Sequence, residues 1–382
     1  MIELEITEQN RNEYIKNNIL TINKAEAKTI TRLYCVNINI SAMNLSNCVN
    51  LEIIHCDNNN ISSIDISNCV NLQEFYCYNN NISSIDLSSC VNIVYLDYSN
   101  NNISSINLSS CVNLEYLYCY NNNILSIDLS NCVNLKIIDC SCNNISSINL
   151  SKCINLVHLD CYKNNILLID LSSCSNLEFL HCSRNNISSI DLSKCANLQE
   201  LHFYHNNIST INLSSCVNLR RFHCYDNKIS SINSSNYVNL HELYCYNNNI
   251  SRINLSNCVN LRYLYCHINN ILSMDLSNCV NLRYLYCYNN NISRLIIHNN
   301  ILDIRCYNNQ ITLFNFVKQS TYHNLICNYL IISNKTTDLH KYLVKKCFNI
   351  DGTNDIKKAI MTQYSNLSYQ DITNRLKLLN KN

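Results

Sequence analysis

The chain has 382 residues, with one glycine (Gly352), no proline and no tryptophan, against 26 cysteines and 26 tyrosines. Phosphate-cradling loops, dinucleotide fingerprints and nucleophile elbows need glycine where the backbone turns tightly or approaches a ligand, so the commonest nucleotide-dependent chemistries are excluded. The net charge of +1 is unevenly placed: residues 317–382 hold ten Lys/Arg against four Asp, and residues 1–316 hold 18 basic and 23 acidic side chains. Neither part has the basic excess that marks a strong nucleic-acid binder.

Turns that Gly and Pro normally punctuate are instead rich in Asn and Ser, which close turns through their own side-chain hydrogen bonds. The opening, MIELEITEQN, is acidic, and no run of about 18 apolar residues occurs anywhere, so neither a leader nor a membrane span is expected. Asn-Ile-Ser recurs at Asn60, Asn81, Asn102, Asn249 and Asn291, and each would be a glycan acceptor in a secretory compartment. A row of glycans along one surface is a poor fit. The expectation is a soluble protein of a reducing cell interior, cytoplasmic, or in the host cytoplasm if viral.

In chain order, residues 1–31 read as an N-terminal cap. Glu8 to Ile19 is expected to be a helix with Tyr14, Ile15 and Ile19 inward, and Lys24 to Ile30 leads into the first strand.

From residue 32 to 316 the chain is an array. Cys48, Cys69, Cys90, Cys111, Cys132 and their successors to Cys279 lie on a 21-residue grid, with Tyr237 in the single gap. A second grid runs from Cys35 to Cys287, with Tyr98 and Phe203 in its gaps. One unit, from Leu114 to Asn134, reads LxxLxCxxNxIxxIxLxxCxN. The alternation of Leu117 and Cys119 with Tyr116, Tyr118 and Tyr120 is strand-like, and Ile127 and Leu129 around Asp128 mark a second short strand. A single coil cannot bury its apolar side, so coils must stack, about 13 of them, into a solenoid roughly 60 Å long at the usual strand spacing. Two Asn columns, from Asn59 to Asn290 and from Asn50 to Asn281, are expected to bond the corners. Ser234 and Tyr237 break the pattern in one coil, and the unit around Leu295, Ile297 and Cys306 is two residues short.

This pattern closely resembles the leucine-rich repeat, in the 21-residue form of some bacterial and large-DNA-virus proteins. The resemblance implies a repeat solenoid of horseshoe or superhelical type, mainly parallel β with short helical caps (the α/β horseshoe class), and a protein-interaction role.

Residues 317–382 read as a helical cap or tail. One helix carries Leu339, Leu343 and Cys347, a second Ile356 and Ile360. A third starts at the capping box Ser368 to Asp371, with Ile372, Leu376 and Leu379 inward.

The ladder cysteines read as reduced core filler, since no CxxC pair exists and a ladder of parallel inward thiols lacks the disulfide dihedral. Cys142 alone is expected to point outward. The outward positions of the first strand align in columns. The central one runs His55, Tyr76, Asp97, Tyr118, Asp139, Asp160, His181, His202, His223, Tyr244, Tyr265, Tyr286. The candidate partner-binding residues are Tyr116, Tyr118, Tyr120, Tyr162, Phe179, His181, His202, His223, Tyr225, Tyr244, Tyr246, Tyr263, Tyr265, Tyr284, Tyr286 and Tyr288. Tyrosine gives large rigid contact area with a polar tip, the composition favoured in paratopes. The three successive histidines admit a metal reading, but parallel side chains on a flat sheet converge poorly and no site is assigned. The expectation is a protein or peptide partner of unknown identity across the strand face. No catalytic residue, cofactor, small-molecule substrate, nucleic acid or membrane insertion is expected. The alternatives are an adaptor whose basic tail docks elsewhere, and a binder of nucleic acid or an anionic surface through that tail.

Overall fold

The computed structural model describes residues 2–233, 237–298, 301–306, 308–311 and 313–316. The chain divides into two compact units, residues 1–208 with 214–216, and residues 209–213 with the chain from 217 onward. Each unit is a parallel-sheet solenoid in which every coil contributes a three-residue strand centred on an apolar residue.

In the first unit the main ladder starts with Glu3–Glu5 and Arg32–Tyr34 and continues through Ile53–His55, Glu74–Tyr76, Tyr95–Asp97 and Tyr116–Tyr118. Ile137–Asp139, His158–Asp160, Phe179–His181 and Glu200–His202 complete it. Register equals the sequence period: Tyr116 pairs with Tyr95 on one side and Ile137 on the other. Leu117 and Cys119 point into the core at 0 % exposure, while Tyr116 and Tyr118 stay half-buried on the outer surface. Shorter second ladders form where the Ile-x-Leu segment is extended, as in Ser126–Asp128 against Ser147–Asn149.

The second unit repeats the plan. Its main ladder runs Arg221–His223, Glu242–Tyr244, Tyr263–Tyr265, Tyr284–Tyr286 and Asp303–Arg305. Ser273 pairs with Arg294 one full repeat on, whereas Tyr284 pairs with Asp303, so the short coil loses its two residues between Ile297 and Asp303 without a gap in the sheet. Tyr237 is buried, and its hydroxyl donates to the Leu213 carbonyl at 2.5 Å. Ser234, the other half of that pattern break, lies outside the described residues.

The corners depend on asparagine. Asn164 donates from Nδ2 to the carbonyls of Cys140 (3.0 Å), Cys161 (3.2 Å) and Tyr162 (3.3 Å), and its Oδ1 accepts the Ile145 N–H at 2.8 Å. Both ends of a buried amide are thereby bonded, two of these contacts reaching the preceding coil. The column from Asn50 to Asn281 is mostly exposed instead, and its amides make simpler contacts, such as Asn71 to the Val49 carbonyl at 3.2 Å. The residue just before each buried Asn is left-handed, with φ of 54° at Asn79, 55° at Lys163 and 55° at Ile268. Only residues that tolerate this region turn the chain there at low cost without glycine.

The N-terminal expectation needs correcting. The helix spans only Arg11–Tyr14, followed by an antiparallel hairpin of Ile15–Lys16 with Ile19–Thr21. Asn17 and Asn18 supply consecutive positive φ values of 53° and 61°, the geometry of a tight two-residue hairpin turn. Ile19 is consequently exposed and Leu20 buried. The segment read only as leading into the first strand opens with a helix, Lys24–Ala27, whose Asn23 Oδ1 accepts the Glu26 N–H at 3.0 Å. The helical reading of residues 317–382 lies outside the described residues.

Candidate functional site

All of the candidate partner-binding residues are half-buried; eleven lie in main-ladder strands, and Tyr120, Tyr162, Tyr225, Tyr246 and Tyr288 lie two residues beyond a strand's end. Strand alternation puts them there: each flanks an inward Leu, Phe or Cys. What the sequence did not reveal is how the rings lie.

In the second unit they form three stacks. His223, Tyr244, Tyr265 and Tyr286 lie face to face at centroid separations of 4.2, 4.6 and 4.4 Å. Tyr225, Tyr246, His267 and Tyr288 do the same at 4.4, 4.5 and 4.3 Å. Tyr263 stacks on Tyr284 at 5.0 Å, and the Arg305 guanidinium lies 4.2 Å from the Tyr286 ring. Ring faces are spent on one another, which leaves the ring edges at the half-buried outer surface. Burial raises the Tyr244 and Tyr265 phenols above their ordinary value, and burial with the Asp303 carboxylate pushes Tyr286 up to about 12. Burial, with Arg305 nearby, lowers His267 to about 4, so this ring is neutral at pH 7.

The first unit is less regular. Tyr34, His55, Tyr76 and Tyr95 stack at 4.9, 4.1 and 4.5 Å, a cluster the candidate set did not include. Tyr116 and Tyr118 meet Tyr95 more loosely, at 5.9 and 5.4 Å. Tyr120 has no ring neighbour within this stack; the small Ser99 and Ser141 occupy the coils on either side of it in its column. Farther on, Phe179 stacks on His158 at 4.1 Å, and Tyr162 stacks on His181 at 4.9 Å. His202 meets His181 edge-on at 5.5 Å.

The histidines do not converge on a common point. His181 Nδ1 is 3.1 Å from Asp160 Oδ2, His202 Nε2 is 3.6 Å from Glu200, and His223 Nε2 is 3.2 Å from Glu242. Each thus has its own carboxylate, and among the described residues no group of three or more His, Cys, Asp or Glu is placed to hold a metal ion. The aspartates of the central column are partly turned inward to backbone: Asp139 Oδ1 accepts the Ser141 N–H at 3.0 Å, and burial raises its carboxyl. Every described cysteine is a free thiol, and all but Cys142 are buried.

This parallel-ladder solenoid and its repeat have the fold of leucine-rich-repeat proteins. A family description, "Leucine Rich repeats (2 copies)", matches residues 112–152 and 175–215. Among solved structures, the functional domain of InlJ from Listeria monocytogenes, described as including a cysteine ladder, is 23 % identical, with 80 % of this chain and 72 % of that one covered and a TM-score of 0.62. An internalin, InlF from the same organism, is 24 % identical over 78 % of this chain and 90 % of that one, with a TM-score of 0.61. The plant peptide hormone receptor RGFR1, solved in complex with RGF2, is 18 % identical over 81 % of this chain and 60 % of its own, with a TM-score of 0.63. No curated protein sequence matches the chain. Among the described residues no helix is long and apolar enough to cross a membrane.

Proposed function

We propose that the chain is a protein-interaction module that holds a protein or peptide partner across the tyrosine-rich face of its main ladders, and that it is not an enzyme. The observation that carries this is the set of stacked rings on consecutive rungs, from His223 to Tyr286 and from Tyr225 to Tyr288. A ring locked between neighbours has little side-chain entropy left to lose, which is the main cost of using aromatic anchors. The face is therefore organised before any partner arrives. The fold shared with a peptide hormone receptor solved with its peptide supports the same reading.

The test places a photo-crosslinking side chain at Tyr263 on this face and, separately, at Ser273 on the second ladder of the same unit. Cross-links to a partner from Tyr263 and none from Ser273 are expected. The reverse pattern would move the binding surface to the other ladder.

A further inference from the structure

The two parts of the array carry opposite charge. Residues 1–208 hold ten Lys/Arg against nineteen Asp/Glu, and residues 209–316 hold eight against four. Three of the second group lie on one line with a histidine. Arg220, His241, Arg262 and Arg283 occupy equivalent positions on successive rungs, linked by backbone hydrogen bonds from His241 N to Arg220 O (2.8 Å), Arg262 N to His241 O and Arg283 N to Arg262 O (both 2.9 Å). The three arginines are exposed. The column borders the ladder of Tyr263 and Tyr284.

Carboxylates on this face are already engaged. Glu242 lies 3.2 Å from His223 and 3.8 Å from Arg221, and Asp303 accepts the Tyr286 hydroxyl at 2.9 Å and faces Arg305 at 3.4 Å. The unit therefore presents three exposed guanidinium groups, those of Arg220, Arg262 and Arg283, beside a row of tyrosine edges. Phenols are hydrogen-bond donors to carboxylates, and guanidinium groups bind them in a bidentate fork. Single-stranded nucleic acid is recognised by stacking bases on open aromatic faces, and here those faces cover one another.

We propose that the second unit binds an extended, carboxylate-rich peptide segment of a partner protein, with its acid groups along the Arg220–Arg283 column and its backbone over the tyrosine edges. This rests on the binding face proposed above and names its ligand.

The test uses the full chain and fluorescence anisotropy of a labelled peptide of alternating Glu and Ser, with a Gln/Ser peptide and oligothymidine as competitors. Arg220→Glu, Arg262→Glu and Arg283→Glu combined is expected to weaken Glu/Ser binding about tenfold or more, and added salt to weaken the unaltered chain steeply. Glu115→Lys in the first unit serves as the charge control and is expected to leave binding unchanged. Melting curves establish that the variants are folded. The inference is overturned if the triple variant binds the Glu/Ser peptide as well as the unaltered chain does. It is also overturned if oligothymidine binds more tightly, or if the cationic column is consumed in low-salt self-association that the triple variant abolishes. Capture of a natural partner separates this from the reading beneath it. If Tyr263→Ala with Tyr284→Ala abolishes capture and the arginine variant does not, the acidic ligand is wrong and the face stands. If neither affects capture, the face itself is wrong.

Discussion

Tyr265 and Tyr286 lie ring on ring, centroids 4.4 Å and planes 5° apart. Tyr265 has Tyr244 on its other side at 4.6 Å, so its ring is sandwiched although it sits on the outer surface. Aromatic pairs contribute about 0.5–1.5 kcal/mol beyond the area they bury. Tyr265→Ala is therefore expected to cost about 1–3 kcal/mol of stability. Tyr118, whose ring meets Tyr95 at a looser 5.4 Å, should cost less on truncation. Denaturant midpoints for the two variants check this, and equal shifts would show that the stack adds nothing.

Asn164→Ala should destabilise by about 1–3 kcal/mol, because it orphans the buried Ile145 N–H along with the carbonyls that the amide serves. Ser126→Ala, at an exposed position, is expected to stay within about 0.5 kcal/mol. Similar melting shifts for both would remove the Asn column from the structural account.

Ile268 is a strained position. It holds φ at 55° with a β-branched side chain that is 43 % exposed, whereas Asn247 and Asn289 occupy the same place one coil to either side. The left-handed region costs a residue with a Cβ roughly 1–2 kcal/mol, which asparagine partly recovers. Ile268→Asn is predicted to raise stability by about 1 kcal/mol. A lower denaturant midpoint would mean that Ile268 contributes packing that outweighs its backbone strain.

The buried thiols make the fold sensitive to alkali. Burial pushes Cys90 up from its ordinary 9.0 to about 11, and Cys153 and Cys216 up to about 12. Below pH 9 these thiols are protonated in both folded and unfolded chains, and their contribution is complete. Between about pH 9 and 12 the unfolded chain releases protons that the folded chain retains, so stability falls as pH rises. The melting temperature should drop between pH 8 and pH 10, and a thiol reagent at pH 8 should label Cys142 first among the described cysteines. Rapid native labelling of the whole ladder would contradict the packed core.

Much of the fold was legible because a parallel ladder copies the sequence period into space. Leu117 faces Ile138 for the same reason that the two lie one repeat apart. The left-handed corner was not legible, since its occupants include Asn79, Cys142, Lys163, Arg184 and Ile268, and no single residue type marks it. Periodicity also says nothing about depth. Val70, Val91 and Val112 recur as faithfully as the core residues, yet are 46, 45 and 45 % exposed. The hairpin at Asn17 and Asn18 read as helix because Tyr14, Ile15 and Ile19 match a helical spacing, and turn chemistry overrode it. On the candidate face, the columns followed from the repeat, whereas ring stacking depends on side-chain rotamers that sequence does not display. The arginine column was present on the same grid, hidden by a net charge averaged over two oppositely charged halves.

The most direct measurement compares partner affinity for the full chain, for Tyr244→Ala with Tyr265→Ala, and for Ser146→Glu with Ser147→Glu on the second ladder. If the stacked tyrosine face is the binding surface, the tyrosine pair should weaken binding by about 2 kcal/mol or more, roughly 30-fold, in protein that still melts cooperatively, and the serine pair should leave affinity unchanged. Retained affinity in the tyrosine variant, with loss in the serine variant, would contradict the account.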